Sequence, residues 1–211
     1  MGLDIEGAAT AITATNVSGG NIHNNIISNN TAYGIDITAN GGNTVSNFMI
    51  EGNTIASNSF DGVYVYGDAS TISNFTISGN TVSGNFHGVY IYGVNSSTLS
   101  NFTISNNMLT VNDRGMRIVA RETSTASQFL VSGNTIDGTG TAGYNRVGLF
   151  VYSTESSSSM SDFTVTGNTI KVQFDPAQLN ELSEAGFAGF TPVIVNMTAI
   201  SSTLPLPGIG Q

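Results

Sequence analysis

Residues 62–87, GVYVYGDASTISNFTISGNTVSGNFH, are followed directly by residues 88–114, GVYIYGVNSSTLSNFTISNNMLTVNDR, which repeat the same pattern. Each copy contains three short segments in which apolar and polar residues alternate, and glycine, asparagine or serine residues separate one segment from the next. A period of two residues is typical of β-strands, and neither copy shows the period of a helix. The sequence therefore predicts three short strands in each repeat of about 27 residues.

An asparagine before the third segment marks the repeat along the chain. It recurs at intervals of 28, 27, 27, 27 and 34 residues, as Asn25, Asn53, Asn80, Asn107, Asn134 and Asn168. The first segment recurs after a glycine, at Gly34, Gly62, Gly88, Gly115 and Gly148. Such short segments cannot bury an apolar face alone, whereas stacked repeats bury a continuous core. We therefore predict an all-β fold, a parallel β-solenoid of about six coils.

The second segment carries the largest apolar side chains and predicts the core. Its two apolar columns are Phe48, Phe75, Phe102, Phe129 and Phe163, and Ile50, Ile77, Ile104, Val131 and Val165. Equivalent residues in neighbouring parallel strands lie about 4.8 Å apart, so both columns are expected to stack as ladders inside the solenoid. We expect the repeated asparagines to form a further ladder at a sharp corner, because asparagine tolerates a left-handed backbone and its amide can bond to the next asparagine.

The two ends of the chain differ from the regular repeats of residues 20–172. Residues 2–5 resemble a first segment, so the chain is expected to begin inside a coil, with an end that allows end-to-end contact or contact with a neighbouring domain. Asp175 and Pro176 are typical of a helix start. We predict three parts: the β-helix over residues 1–174, a cap over residues 175–204 with a short helix at 176–185 and a strand at 191–200, and a tail or linker over residues 205–211.

The composition excludes several functional classes. Five Lys and Arg against 14 Asp and Glu give a net charge of −9, too few cations for nucleic acid or an anionic membrane surface. With no cysteine and two histidines we expect no metal and no cofactor. No apolar run approaches the length of a membrane span, so we expect no membrane insertion. Asn, Ser and Thr make up 74 of the 211 residues, which predicts a neutral surface rich in hydroxyl groups.

The repeat length, the three segments and the Ser-Gly-Asn-Thr-Ile corner at residues 132–136 resemble the right-handed parallel β-helix of the pectin-lyase-like superfamily. The resemblance covers residues 20–172 and implies a right-handed coil in which the Gly-x-Tyr-x-Tyr segment is the first strand. It implies little about function, because the superfamily includes lyases, hydrolases, epimerases, phage tailspikes and surface adhesins. In these proteins ligands usually lie along the first strand, so its outward residues are the candidates for binding.

Two outward columns of the first segments form a candidate binding strip. They are Asp4, Asp36, Tyr64, Tyr90, Arg117 and Phe150, and beside them Glu6, Thr38, Tyr66, Tyr92, Val119 and Tyr152. A row of exposed aromatic residues suits stacking against sugar rings, while phenol, Asp and Arg groups can bond to sugar hydroxyls. We predict a polysaccharide or glycan surface as the partner, bound by Tyr64, Tyr66, Tyr90, Tyr92, Arg117, Phe150 and Tyr152. The alternative is that these tyrosines only stabilise the sheet or lie under another chain.

A second candidate site is the turn before the first strand, where Asp61, His87 and Arg114 occupy matching places. With Asp36 and Arg117 they resemble the motifs of polygalacturonase-type hydrolases, an alternative that would make Asp36, Asp61, His87 and Arg117 the catalytic residues. The match is poor, because the motif positions for Thr, Asp, Gly and Lys are occupied by Ile35, Phe60, Phe86 and Val119. A carboxylate needed for hydrolysis is missing, so we assign no catalytic residue and expect a solvated polar turn.

The cationic residues leave two interpretations open. Arg114, Arg117 and Arg121 gather on one coil beside Glu122, as an anion site or as a charge-balanced surface patch. An insertion at residues 139–146, with Tyr144 and Arg146, is expected to form a rim beside the strip. The sequence predicts a non-catalytic domain of an exported or cell-surface protein, a rigid scaffold with an adhesive, carbohydrate-binding face. The alternative is a polysaccharide-degrading enzyme, which would be a glycoside hydrolase, a lyase or a tailspike-like depolymerase.

Overall fold

The computed structural model describes residues 2–137 and 147–171. Within these residues all regular structure is β-strand, arranged in three parallel sheets of six, eight and seven strands. The predicted all-β parallel solenoid is thus confirmed. The predicted helix at 176–185, the strand at 191–200, the tail and the insertion at 139–146 lie outside the described residues. No helix in the described part of the chain is long and apolar enough to cross a membrane.

Each coil contributes to the three sheets in the same order. The first sheet contains β2 (Ile12–Thr15), β5 (Ile35–Asn40), β9 (Val63–Asp68), β12 (His87–Val94), β15 (Arg114–Ala120) and β18 (Val147–Ser153). The second contains β3 (Asn21–His23), β6 (Thr44–Ser46), β7 (Met49–Glu51), β10 (Thr71–Ser78), β13 (Thr98–Ser105), β16 (Thr125–Ser132), β19 (Ser159–Ser161) and β20 (Thr164–Thr166). The third contains β1 (Asp4–Glu6), β4 (Ile26–Ser28), β8 (Thr54–Ala56), β11 (Thr81–Ser83), β14 (Met108–Thr110), β17 (Thr135–Asp137) and β21 (Thr169–Lys171). Successive strands of the first sheet are one turn apart, so its six strands span about five turns in the described residues, against the six coils predicted.

The core is a set of side-chain ladders along the solenoid axis. The five predicted phenylalanines stack with ring centroids 4.7–4.9 Å apart and planes within 6° of parallel. Phe48, Phe75, Phe102 and Phe129 are buried, and Phe163 at the end of the ladder is half-buried. The isoleucine column two residues further on is also buried from Ile50 to Val131. Both predicted core columns are therefore confirmed.

Glycine at the start of the first strand allows neighbouring coils to pack closely. A Cβ atom at Gly88 would lie 2.6 Å from the carbonyl oxygen of Gly115 and 2.6 Å from a methyl group of Leu109. Real Cβ atoms do not approach other atoms so closely, and only glycine lets the two coils meet at this corner. The glycine that identifies the first segment in the sequence is thus required by close contact between coils.

The predicted asparagine ladder is present from Asn25 to Asn168. From Asn53 onward, the Oδ1 atom of each member accepts both the backbone N–H and the side-chain Nδ2–H of the asparagine one coil earlier, at 2.8–3.0 Å. The expected left-handed backbone is at the preceding residue instead: Gly79, before Asn80, has φ 63°, and Asn106, before Asn107, has φ 55°. The preceding residue makes the sharp turn. The ladder asparagine can then keep a backbone that directs its amide along the axis.

A second asparagine ladder lies at the other end of the third strand. Asn30, Asn58, Asn85 and Asn112 are buried, and their Nδ2 to Oδ1 distances are 2.8–3.1 Å. The sequence analysis missed this ladder, although its members recur at the same intervals as the first one. Each third strand between the two ladders is therefore fixed at both ends by buried amide hydrogen bonds.

The position predicted for the N-terminal segment is wrong. Asp4–Glu6 pairs with Ile26–Ser28 and belongs to the third sheet, so Asp4 and Glu6 are not members of the first-strand columns. The backbone N–H of Leu3 donates to Oδ1 of Asn25 at 2.9 Å, so Leu3 occupies a place in the asparagine ladder. The true first strand of the next coil begins at Ile12, and Ala11 replaces the usual glycine. Both sequence markers are absent at this end, which is why the pattern misled the prediction.

Candidate functional site

The outward face of the first sheet carries the predicted strip. The register pairs Tyr64 with Tyr90, Arg117 and Phe150 in one column, and Tyr66 with Tyr92, Val119 and Tyr152 in the other. At the N-terminal end of these columns stand Asp36 and Thr38, preceded by Thr13 and Thr15 in the places predicted for Asp4 and Glu6. Strand alternation buries Val63 and Val65 completely and leaves the intervening tyrosines facing outward.

The tyrosine rings of the strip stack on one another. Tyr64 lies against Tyr33 at 4.9 Å between ring centroids and against Tyr66 at 5.6 Å, with planes 9° and 12° from parallel. Tyr90 and Tyr92 stack in the same way at 5.3 Å. The four predicted tyrosines are consequently half-buried, whereas we had expected them to be exposed. The stack offers a ligand ring edges and phenol groups more than open ring faces.

Burial further favours the neutral form of two phenols in this row, Tyr64 and Tyr90. It raises the pKa of Tyr64 far above its ordinary value, and the neighbouring phenols and Asp61 raise it further. Burial also raises the pKa of Tyr90 strongly, although the nearby Arg117 cation acts in the opposite direction. These phenols therefore stay neutral at any physiological pH. A neutral phenol can both donate and accept a hydrogen bond, as a sugar hydroxyl requires.

Two phenylalanines beside the strip present the open aromatic faces. Phe60 is 51% exposed and Phe86 is 41% exposed, and the two lie at matching places in successive coils. Phe60 contacts Tyr33 at 5.6 Å, and the Arg114 guanidinium lies over the Phe86 ring at 4.7 Å. The sequence analysis treated both phenylalanines only as departures from a hydrolase motif. Their recurrence two residues before the first-strand glycine is the signal that could have placed them beside the candidate binding strip.

Asp61 and His87 form a buried side-chain pair within hydrogen-bonding distance. Nδ1 of His87 lies 2.6 Å from Oδ1 of Asp61, and the side chains are 4% and 6% exposed. The backbone N–H of His87 donates to the same oxygen at 3.3 Å, and Nη1 of Arg114 lies 3.4 Å from Nε2 of His87. The expectation of a solvated turn is wrong, because the rings of Phe86 and Tyr90 both pack 4.6 Å from the imidazole and exclude water.

Asp36 is half-buried and stands apart from that pair. The Thr38 hydroxyl donates to its Oδ1 at 2.7 Å. Burial raises the pKa of the Asp36 carboxyl, and the Thr38 hydrogen bond partly opposes this effect. Asp36, Asp61, His87 and Arg117 lie on four successive coils. Of these four residues the structure brings only Asp61 and His87 into direct contact, through the pair described above.

The arginines of β15 have different surroundings. The Arg117 guanidinium lies 5.3 Å from the ring centroids of both Tyr90 and Tyr152, and it donates a hydrogen bond to the Tyr152 hydroxyl. Arg121 forms an ion pair with Glu155 at 3.6 Å. The predicted cluster is therefore charge-balanced at Arg121, while Arg114 and Arg117 lie against aromatic rings.

No group of three or more His, Cys, Asp or Glu side chains suited to a metal ion occurs within residues 2–137 and 147–171. The groups that the site presents are phenols, two guanidinium groups, aromatic rings and the half-buried Asp36 carboxyl.

The fold and the strip define a class of protein: parallel β-solenoids with an aromatic row along one sheet. Residues 10–178 match the family model described as a right handed beta helix region, and the chain belongs to that family. This match confirms the right-handed coil. Among curated proteins and solved structures, no match to the chain was found.

Proposed function

We propose that the chain is a non-catalytic β-helix domain of an exported or cell-surface protein that binds carbohydrate along its first sheet. The observation that carries the proposal is the row of rings along the first sheet, from Phe60 and Tyr33 through Tyr64 to Tyr90. The Arg117 guanidinium links this row to Tyr152. Tyrosine, arginine and aspartate side by side provide apolar contact together with hydrogen-bond donors and acceptors. This combination suits a sugar, whose faces are apolar and whose rim carries hydroxyls.

Rigidity of the scaffold supports the same proposal. The strip is set on strands whose inner faces are completely buried, at Val63, Val65, Val89 and Ile91. A ligand would then meet side chains that are already ordered by their stacked neighbours, so that little conformational entropy is lost on binding. An extended glycan running along the axis would contact equivalent tyrosine rings on two successive coils, at Tyr64 and at Tyr90.

The test is a glycan array probed with the full chain. The double variant Tyr64→Ala/Tyr90→Ala should lose at least about tenfold in affinity for any glycan that the unaltered chain binds. The variant Tyr64→Phe/Tyr90→Phe keeps the rings and removes the hydroxyls, so it separates ring contact from hydrogen bonding. A matched control is Met49→Ala/Met108→Ala, which changes exposed side chains on the other two sheets. Binding that survives the Tyr→Ala changes in a folded protein would refute the proposal.

A polysaccharide-degrading enzyme is the second candidate. The observation in its favour is Asp36, because a raised carboxyl pKa is what a general acid needs. The surroundings of the second carboxylate argue against an enzyme. Asp61 is buried, and its Oδ1 accepts the backbone N–H of His87 and lies 2.6 Å from Nδ1 of the His87 imidazole. A general base for hydrolysis must reach a water molecule, and this arrangement leaves Asp61 poorly placed to do so.

A further inference from the structure

The few cations of the chain are concentrated on one strand. The whole sequence has five Lys and Arg residues, and Arg114, Arg117 and Arg121 lie on or directly after β15. The net charge of the chain is −9, so this strand is the exception on an acidic protein. Its side chains border the C-terminal half of the aromatic strip, whereas Asp36 lies at the N-terminal end of the same column.

Arg117 is the cation best placed for a ligand. It lies in the strip itself, in register between Tyr90 and Phe150, and is only partly buried. Tyr90 and Tyr152 hold the guanidinium through ring contacts, and the Tyr152 hydroxyl accepts one of its N–H groups. A guanidinium has five N–H donors, so several remain for an anion.

Neither Arg114 nor Arg117 is neutralised by a carboxylate within the described residues. The Arg and Lys side chains found in ion pairs there are Arg121, with Glu155, and Lys171, with Asp137. Aromatic contact fixes the direction of a guanidinium without cancelling its charge. A fixed guanidinium without a carboxylate partner among the described residues is preorganised for sulfate or carboxylate oxygens, which it can bind through two parallel hydrogen bonds.

We propose that Arg117 forms an anion subsite within the strip and that the carbohydrate ligand carries sulfate or carboxylate groups. This inference rests on the proposed function, since it names the chemical class of the glycan. The tyrosine rows contact the sugar rings, and Arg117 binds an anionic substituent at the next coil. The subsite thereby selects acidic glycans over neutral ones of the same backbone.

Three polymers with one backbone test the proposal: dextran, dextran sulfate and carboxymethyl dextran, immobilised and exposed to the full chain at low and at moderate salt. At least one anionic polymer should bind about tenfold or more tightly than dextran, and the difference should shrink as salt rises. The anionic polymer that binds more tightly shows whether sulfate or carboxylate is preferred. Arg117→Gln should remove most of the difference in affinity between the anionic polymer and dextran. Arg117→Lys should retain part of this difference, because an ammonium keeps the charge but lacks the planar pair of N–H donors of a guanidinium.

The control variant is Arg121→Gln, which makes the same change of charge at a side chain already paired with Glu155. It should alter anion binding by less than about threefold. Equal losses from Arg117→Gln and Arg121→Gln would show diffuse attraction and overturn the subsite, as would equal binding of all three polymers. Array binding that depends on Tyr64 and Tyr90 would in either case leave the proposed function intact, so the two failures are distinguishable. Circular dichroism establishes that each variant is folded.

Discussion

The side-chain nitrogen of Asn80 donates to Oδ1 of Asn107 at 2.9 Å, and the backbone N–H of Asn80 donates to the same oxygen at 3.0 Å. The Asn80 amide also donates to the carbonyl oxygens of Ile50 and Ser78, while its own Oδ1 accepts two hydrogens from Asn53. One buried side chain therefore satisfies polar groups on three coils. Its place in the centre of the solenoid makes it the best position for testing the ladder.

Asn80→Ala should destabilise the fold by about 3 kcal/mol or more, because several buried donors and acceptors lose their partners at once. Chemical denaturation measures the change in the free energy of unfolding. Asn21→Ala is the control, since Asn21 is exposed and makes a single side-chain hydrogen bond to Glu51. The control should stay within about 0.5 kcal/mol of the unaltered chain. A similar small effect at Asn80 would mean that the ladder contributes little to stability.

The phenylalanine ladder should show a gradient of energies. Phe102 is buried and stacked on both sides, so Phe102→Ala should cost about 3–5 kcal/mol. Phe163 stacks on one described neighbour and is only half-buried, so Phe163→Ala should cost clearly less. Denaturant unfolding of both variants, compared under the same conditions, tests the gradient. Equal costs at the two positions would contradict the assigned ends of the ladder.

The repeats were sufficient to predict the coil, because periodic residues must occupy equivalent places when coils stack. Phe75 and Phe102 were therefore assigned to the core from spacing alone, and the structure confirms them. The N-terminal strand was misplaced because Leu3 and Ala11 lack the markers that identify a coil. Short alternating segments look alike in all three sheets, so without a marker the sheet cannot be assigned.

The candidate site was predicted less completely. Strand alternation correctly placed Tyr64, Tyr90 and Arg117 in one outward column. Alternation says nothing about how neighbouring rings share space, and so it did not predict that Tyr33 would cover Tyr64. Asp61 and His87 are buried because aromatic rings pack against the imidazole. Such packing depends on the three-dimensional structure and has no periodic signal in the sequence.

Asp36 should make stability depend on pH. Burial raises its pKa in the folded state, so the folded protein binds this proton more tightly than the unfolded chain does. The contribution of Asp36 to stability is therefore fully present below the ordinary carboxyl pKa and is lost as pH rises through the raised value. Asp36→Asn removes the charge and keeps an oxygen for the Thr38 hydroxyl. It should raise the melting temperature at pH 7, and the gain should vanish below about pH 4.

Thermal melts at the two pH values measure this difference. Glu6→Gln removes an equal charge at an exposed position and serves as the control. A gain of equal size in both variants would point to relief of the general negative charge instead of a property of the Asp36 site. A gain at Asp36 that persists at acid pH would equally contradict the stated cause.

Removing one partner of the buried Asp61–His87 pair should strongly lower the free energy of unfolding. His87→Ala leaves the Asp61 carboxylate in a buried place without its imidazole, which should cost about 3–5 kcal/mol of unfolding free energy. In the double variant Asp61→Asn/His87→Ala the loss should be smaller than the sum of the single losses, because no charge is left buried. Lys171→Ala, which breaks the more exposed pair with Asp137, should cost no more than about 1 kcal/mol. Additive losses at Asp61 and His87 would show that the pair is not coupled.

Catalysis is the last property to test, and we expect none. Inverting hydrolysis needs an acid and a base about 6.5–9.5 Å apart with a water molecule between them, and retaining hydrolysis needs a closer pair. Burial raises the pKa of the Asp36 carboxyl, but the Oδ1 oxygen of Asp61 is bound to His87, and the rings of Phe86 and Tyr90 shield that pair. A reducing-sugar assay on plant, algal and bacterial polysaccharides should show no release above background. Release that disappears in Asp61→Asn, in a variant that remains folded, would overturn this expectation and make the enzyme hypothesis the better one.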